Sequence, residues 1–110
     1  MTSERNPVQP DLATTFAALG DPRRLAIVTR LQQQDALSIS ALCEGTDVSR
    51  QAISKHLKTL AEAQLVSSER TGRETRFSLE PARLRAATAF LNQVALKWDD
   101  ALNRLKSHLE

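Results

Sequence analysis

The chain has 110 residues, of which 41% are hydrophobic and 25% charged, and this length supports one compact domain. The hydrophobic and charged fractions are those of a globular chain, which excludes a disordered tail and a collagen-like fibre. A disulfide scaffold is also excluded, since a single cysteine cannot form an internal disulfide. No apolar run approaches the roughly 18 residues of a membrane span, and the N-terminus lacks the apolar core of a signal peptide. We therefore expect a cytoplasmic protein with no membrane partner.

The positive charge is concentrated in the middle of the sequence. The whole chain carries a net charge of +2, whereas the segment 50–76 alone carries +3, from six arginines and lysines against three glutamates. A cationic segment in a nearly neutral chain favours a polyanionic partner that meets one face of the protein. The alternative is that these charged side chains are only exposed to solvent and bind no partner.

Residues 1–10 contain two prolines and no apolar periodicity, which predicts a flexible N-terminal arm followed by a single domain over 11–110. Within that domain, apolar spacing predicts a first helix that starts at Asp11. A second helix follows closely, because Asp21 is a favourable N-cap and Pro22 fits the first helical position.

The next two helices form a candidate helix-turn-helix. A short helix over 38–43 precedes a longer one over 49–63, for which Ser49 is the predicted N-cap. Apolar residues at helical spacing from Ile53 to Leu60 predict the buried face of the longer helix. The connection between them has the length found in helix-turn-helix units, although short helix pairs are common in small α-helical domains.

The composition then changes to that of a β-hairpin followed by a long helix. Two strands over 65–70 and 75–79 flank a turn that contains Gly72, and Pro81 opens a helix that continues to the C-terminus. The predicted fold class is therefore mainly α with a small β-hairpin.

The last helix carries an apolar stripe that exceeds the size of its own domain. Apolar residues recur every three or four positions from Leu84 to Leu109, which is a heptad-like pattern. A helix of this length measures about 43 Å at about 1.5 Å per residue, more than the width of a domain of this size. The stripe therefore predicts a dimer, and a helix folded back over its own core is the alternative.

No catalytic constellation is recognisable in the sequence. The two histidines are far apart, no serine or cysteine lies in a nucleophile motif, and the three glycines are isolated at turns. Asp99 and Asp100 point about 100° apart on a helix and so do not share a site. The sequence predicts no enzyme, no catalytic residue and no cofactor.

The fourth helix presents a polar and basic stripe opposite its apolar face. Its side chains are of the types that reach base edges and phosphates in a DNA groove. A polar helix face alone is usually only solvated, but a basic hairpin directly after a basic helix favours double-stranded DNA as the partner. The stripe comprises Arg50, Gln51, Ser54, Lys55 and Lys58, and the hairpin adds Arg70, Arg73 and Arg76.

Several segments together resemble the ArsR/SmtB family of bacterial winged-helix repressors. They are Asp21-Pro22-Arg23-Arg24-Leu25, the helix segment Val48–Leu60, Leu65-Val66 and Thr71-Gly72-Arg73. The C-terminal helix around Trp98 resembles that of the non-metal members. The resemblance extends over 11–109 and implies a winged helix-turn-helix homodimer, held by its first and last helices. It also implies repression through an operator, often with release by an effector.

The resemblance also implies roles for individual residues. It assigns contacts with DNA bases to Arg50, Gln51, Ser54 and Lys55. It leaves two roles open for His56, which either contacts a phosphate or packs at the helix edge. The remaining members of the predicted DNA-binding set are Ser49, Lys58, Arg70, Arg73 and Arg76. The predicted dimer interface comprises Leu12, Phe16, Leu91, Val94, Trp98, Leu102 and Leu105.

One residue departs from the family pattern at the end of the fourth helix. Gln64 stands where the family usually has a glycine before Leu-Val. Either glutamine adopts a left-handed conformation there, at a cost of roughly 1 kcal/mol, or the helix end is remodelled.

The family's metal-sensing sites are not recognisable. Ser38 and Ser40 stand where its cysteine box would fall, and the last helix lacks paired Asp and His ligands. The single thiolate of Cys43 cannot build a soft metal site. We expect Cys43 to be a small buried helix residue rather than a redox thiol, which normally needs a resolving partner.

The predicted function is therefore a DNA-binding repressor without a metal-sensing site. Two alternatives stay open. One is a repressor that responds to a redox change or to an unidentified small molecule, and the other is a winged-helix protein-interaction module that does not bind DNA.

Overall fold

The computed structural model describes residues 12–109 as five helices and three strands. In chain order these are α1 (Leu12–Leu19), α2 (Pro22–Gln33), β1 (Leu37–Ser38), α3 (Ile39–Cys43), α4 (Arg50–Glu62), β2 (Val66–Thr71), β3 (Glu74–Leu79) and α5 (Pro81–Leu109). The order confirms a mainly helical fold with a small sheet and a long C-terminal helix. The predicted arm over 1–10 lies outside the described residues.

Side-chain caps explain where the helices begin. Oδ1 of Asp21 accepts hydrogen bonds from the backbone N–H groups of Arg23 and Arg24 at 2.8 and 3.2 Å, which confirms it as the N-cap of α2. The bond from the Arg24 N–H, with that from Arg23, lowers the pKa of the Asp21 carboxyl. Ser38 and Ser49 cap α3 and α4 in the same way, each accepting at 3.1 Å from the first turn of its helix.

The sheet has three strands rather than the predicted two. β3 pairs antiparallel with β2 along its whole length and with β1 on its other edge, where Leu37 faces Phe77 and Ser38 faces Arg76. The sequence pattern does not predict β1, because two residues are too few to show an alternation of apolar and polar side chains. The sequence pattern predicts Ser38 as the first residue of the third helix, whereas it is the N-cap of that helix and the last residue of β1.

The hydrophobic core lies directly behind α4 and anchors it. Leu57, Leu60 and Leu65 are at most 1% exposed, and Ile53 is also buried, so the predicted apolar face of α4 is confirmed. Burial of one such side chain contributes about 1.5–3 kcal/mol relative to leaving it in water. This anchoring fixes which face of α4 remains on the surface.

The tip of the hairpin is a two-residue turn. Thr71 pairs with Glu74, which leaves Gly72 and Arg73 as the central residues. Gly72 has φ 65°, a conformation that glycine adopts without the steric cost of a β-carbon. The turn therefore projects the side chain of Arg73 from the end of the sheet.

Gln64 ends α4 in the left-handed conformation, with φ 63°. Its N–H donates to the backbone oxygen of Ala61, and the N–H of Leu65 donates to that of Leu60, both at 2.9 Å. This pair of bonds is a Schellman motif. Arg83 on α5 donates to Oε1 of Gln64 from two guanidinium nitrogens, from Nε at 3.1 Å and from Nη2. Gln64, which stands where the family usually has glycine, therefore also joins α4 to α5.

Replacing Gln64 with alanine is expected to lower the free energy of unfolding by about 1 kcal/mol, because the strain of a β-carbon stays and the bonds from Arg83 are lost. Gln64→Gly removes the strain together with the bonds, so we expect it to lie within about 0.5 kcal/mol of the wild type. Urea denaturation at equal protein concentrations measures both variants. A glycine variant less stable than the alanine variant would contradict this explanation.

Candidate nucleic-acid interface

The polar stripe of α4 lies on the surface, opposite the core. Arg50, Gln51, Ser54, Lys55 and Lys58 are all exposed. α4 has 13 residues, so it is about 20 Å long at about 1.5 Å per residue. A helix of this size fits the major groove of B-DNA, which is about 12 Å wide. The structure brings these five predicted residues together on one accessible face, which we call the reading stripe.

The first turn of α4 is fixed by side chains from before the helix. Ser49 uses its hydroxyl to accept the N–H of Ala52, so its observed role is that of a cap. Arg50 donates from Nη1 to Oγ of Ser40 on α3. Ser40 thus orients one member of the reading stripe, a role that the sequence does not indicate, since ten residues separate the two.

His56 lies at the edge of α4, between the reading stripe and the core. It is half-buried, and its Nδ1 lies 3.5 Å from Nη1 of Arg24 on α2. Of the two roles expected for His56, the geometry matches packing at the helix edge. Arg24, for which no role was predicted beyond its place in a motif, is the partner that holds it there.

The three arginines of the hairpin lie in three different settings. Arg70 and Arg76 fall on opposite faces, and Nε of Arg70 donates to the backbone oxygen of Gly72 at 3.2 Å. Arg76 forms an ion pair with Glu74 at 3.2 Å, and Glu69 is its cross-strand neighbour. Arg76 therefore has a carboxylate partner in Glu74 and a second carboxylate nearby, although an exposed ion pair of this kind contributes only about 0–1 kcal/mol.

Arg73 at the tip is the hairpin cation most available to an anion. It is exposed, and within residues 12–109 its side chain has no hydrogen bond or ion pair. Of the three predicted hairpin arginines, the structure therefore favours Arg73 as a phosphate contact and favours Arg76 least. The alternation of Glu74 and Arg76 along one strand face is the sequence signal that indicates this difference.

A second predicted site is the apolar stripe of α5. At about 100° per residue, its exposed members fall within a sector about 120° wide. We call this sector the α5 seam, and it comprises Phe90, Leu91, Val94, Trp98, Leu102, Leu105 and Leu109. Phe90 was not among the predicted interface residues. Its ring lies 6.1 Å from that of Phe16 on α1, with both Phe16 and Leu12 half-buried, so α1 adjoins the seam.

The residues considered for metal or redox chemistry remain separate. Cys43 is half-buried against the core rather than fully buried, and it is a free thiol. Ser38 caps α3, and Ser40 holds Arg50. In the part of the chain that the structure describes, no three His, Cys, Asp or Glu side chains are grouped so that they could hold a metal ion. None of the helices there is long and apolar enough to cross a membrane.

Comparison with known proteins gives consistent matches. The family described as a helix-turn-helix domain matches residues 19–69. The HTH-type transcriptional regulator Rv2034 of Mycobacterium tuberculosis is 38% identical over 93 residues, which cover 84% of this chain and 81% of that protein. The HTH-type transcriptional repressor SmtB of the same species is 35% identical over 85 residues, and these cover 77% of this chain but 61% of the repressor.

A solved structure agrees with the sequence matches. An ArsR-like transcriptional regulator from Rhodococcus sp. RHA1 has a TM-score of 0.75 and 40% sequence identity, with 91% of this chain and 93% of that chain covered. The shared fold therefore extends over nearly the whole length of both chains.

Proposed function

The chain belongs to the ArsR/SmtB family of DNA-binding transcriptional regulators, and we propose that it is a homodimeric repressor that binds an inverted-repeat operator. It is a transcription regulator and not an enzyme. In the proposed function, α4 reads bases in the major groove and the hairpin holds the adjacent backbone. With double-stranded DNA as its partner, the proposed site of action is the cytoplasm.

The observation that carries this proposal is the division of α4 into two faces. One face is buried in the core, and the other presents arginine, glutamine, serine and lysine to solvent, with Glu62 at its C-terminal end as the one exposed carboxylate of α4. Arginine pairs with guanine and glutamine with adenine through two hydrogen bonds in the major groove. The free guanidinium of Arg73, beyond the end of the sheet, adds a cation that can reach a phosphate or the minor groove.

The homodimer is supported by the α5 seam. Trp98 and its apolar neighbours are exposed in the single chain, and a continuous apolar surface of this kind marks an interaction site. A second copy of the chain offers the same heptad-like stripe, so the two seams can pack against each other around a two-fold axis. A two-fold dimer presents two copies of α4, which is why the operator is an inverted repeat.

Gln51→Ala and Arg73→Ala are expected to separate base reading from phosphate binding. Gln51 is neutral, so its loss should cost about 1–3 kcal/mol on the operator alone and leave the salt dependence nearly intact. Loss of Arg73 should weaken binding to operator and random DNA alike, and flatten the slope of log affinity against log salt by about 0.9 per subunit. Fluorescence anisotropy on both duplexes across a salt series measures these effects.

Two further variants serve as matched controls for this experiment. Gln33→Ala removes an exposed glutamine from α2, and Arg85→Ala removes an exposed arginine from α5. Both are expected to bind like the wild type. If Arg73→Ala weakened only operator binding and Gln51→Ala weakened both equally, the assigned roles would be reversed. If neither change mattered, the reading stripe would be a solvated face and the protein-interaction module would be favoured.

Zinc, cadmium and arsenite are not expected to release the protein from DNA. The reason is the donor set: hydroxyls at positions 38 and 40 are poor ligands for soft metals, and Cys43 supplies one thiol. Adding each metal to the protein–DNA complex while following anisotropy tests this, with Cys43→Ser as the control for a reaction of the thiol. Stoichiometric metal binding with loss of DNA affinity would show that a metal site exists.

A further inference from the structure

The guanidinium group of Arg24 bridges three elements of the fold. Its Nε donates to the backbone oxygen of Ala18 at 2.6 Å, and its Nη2 donates to that of Ala17 at 3.4 Å. Its Nη1 lies 3.5 Å from Nδ1 of His56 and 4.0 Å from a carboxylate oxygen of Asp21. Arg24 belongs to α2, the two carbonyls belong to the last turn of α1, and His56 lies in the middle of α4.

These contacts give the side chain a defined orientation. The last carbonyls of a helix lack partners within the helix, and a cation beside them is favoured by the helix dipole. Arginine is a donor only, so the two carbonyls of α1 accept from it, and the imidazole of His56 packs beside the same guanidinium. The side chain of Arg24 is 19% exposed, so most of it is buried among the three elements.

The bridge connects the two surfaces on which the proposed function depends. α1 contacts α5 through the rings of Phe16 and Phe90, and this layer carries the α5 seam. On the other side, His56 precedes Leu57 of the core and follows Lys55 of the reading stripe. Arg24 therefore links the orientation of α4 to the layer that forms the proposed dimer.

We propose that Arg24 is a positioning residue that sets the angle of α4 relative to the two-fold axis of the dimer, and so determines which half-site spacing the protein accepts. The inference rests on the proposed homodimer and operator. Because the guanidinium is already held by the α1 carbonyls and His56, its loss changes the geometric match to the operator and not the number of phosphate contacts.

The test compares Arg24→Lys with Arg23→Gln on a duplex that the wild-type protein has selected from a random-sequence library. Arg24→Lys keeps the charge but loses the planar fork that reaches α1 and α4 together. Arg23 is the adjacent residue, is exposed, and has no side-chain partner within residues 12–109, so Arg23→Gln shows what the loss of a charge from the first turn of α2 does when the bridge is left intact. Affinities are measured for the selected duplex, for random DNA, and for duplexes with the half-site spacing changed by one base pair in either direction.

We expect Arg24→Lys to bind the selected duplex about tenfold more weakly, which corresponds to one poorly matched base contact, because α4 is no longer held at the angle that fits both half-sites. Its affinity for random DNA and its salt slope should stay at the wild-type values, while its preference for the wild-type spacing becomes weaker. Arg23→Gln should keep that preference. The inference is overturned if Arg24→Lys folds and keeps two wild-type properties. These are the preference for the wild-type half-site spacing and the ratio of the affinity for the selected duplex to the affinity for random DNA.

Two further outcomes are also decisive. If circular dichroism shows that Arg24→Lys does not fold, His56→Leu takes its place, because it removes only the α4 end of the bridge. A weaker preference for the wild-type half-site spacing in His56→Leu supports the inference, and an unchanged preference overturns it. If the wild-type protein selects no common sequence, the proposed function itself fails, and the inference fails with it.

Discussion

Replacing Trp98 with alanine is expected to raise the dissociation constant of the dimer by more than 100-fold while leaving the fold of each chain intact. An aromatic side chain in the middle of an interface buries about 150–250 Å², and truncating it when it is fully buried costs about 3–5 kcal/mol. Trp98 is 65% exposed in the single chain, so its contribution falls on association and not on folding. Sedimentation equilibrium at low micromolar concentration measures the change.

The same helix offers a matched control for the Trp98 variant. Leu96 is 63% exposed but lies on the opposite side of α5 from the seam, so Leu96→Ala should dimerise like the wild type. The circular dichroism of both variants should be unchanged. A wild-type protein that sediments as a monomer would contradict the two-fold dimer and with it the inverted-repeat operator.

Inserting five base pairs between the two half-sites is expected to weaken operator binding by about 100-fold or more, because specific binding typically exceeds non-specific binding by about 10³–10⁷. Five base pairs are about half a helical turn, so the second half-site faces away from the second copy of α4. Anisotropy on the two duplexes measures the loss.

A flanking insertion controls for the length of the duplex. Five base pairs added outside the repeat leave the relation of the half-sites unchanged, so binding should equal that of the original operator. If the protein bound the interrupted repeat as tightly as the intact one, association would be monomeric or non-specific.

Much of the fold could be predicted from the sequence because its determinants are local. Asp21 and Ser49 mark helix starts within three residues of the N–H groups that they accept, and the buried face of α4 follows from apolar spacing alone. Gly72 at the hairpin tip also follows from a local requirement, which is the positive φ of a two-residue turn. In each case the interacting groups lie within one turn of helix or one β-turn of each other.

The missing parts are all contacts between residues far apart in sequence. β1 becomes a strand only by pairing with β3, about forty positions later, and Arg24 reaches His56 across 32 positions. From the sequence, Ser40 is notable only because it stands where the family's cysteine box would fall, and its bond to Arg50 depends on how α3 packs against α4. Periodicity and capping carry no information on such pairs, so the support behind the reading stripe is visible only in the structure.

DNase I footprinting tests most directly whether the reading stripe recognises a specific operator. The DNA to examine lies upstream of the protein's own gene, since repressors of this kind commonly regulate their own operon. We expect the wild-type protein to protect one inverted repeat, and Gln51→Ala to lose that protection while still binding random DNA. If no site were protected at concentrations where the wild-type protein binds random DNA, the reading stripe would not recognise a specific operator.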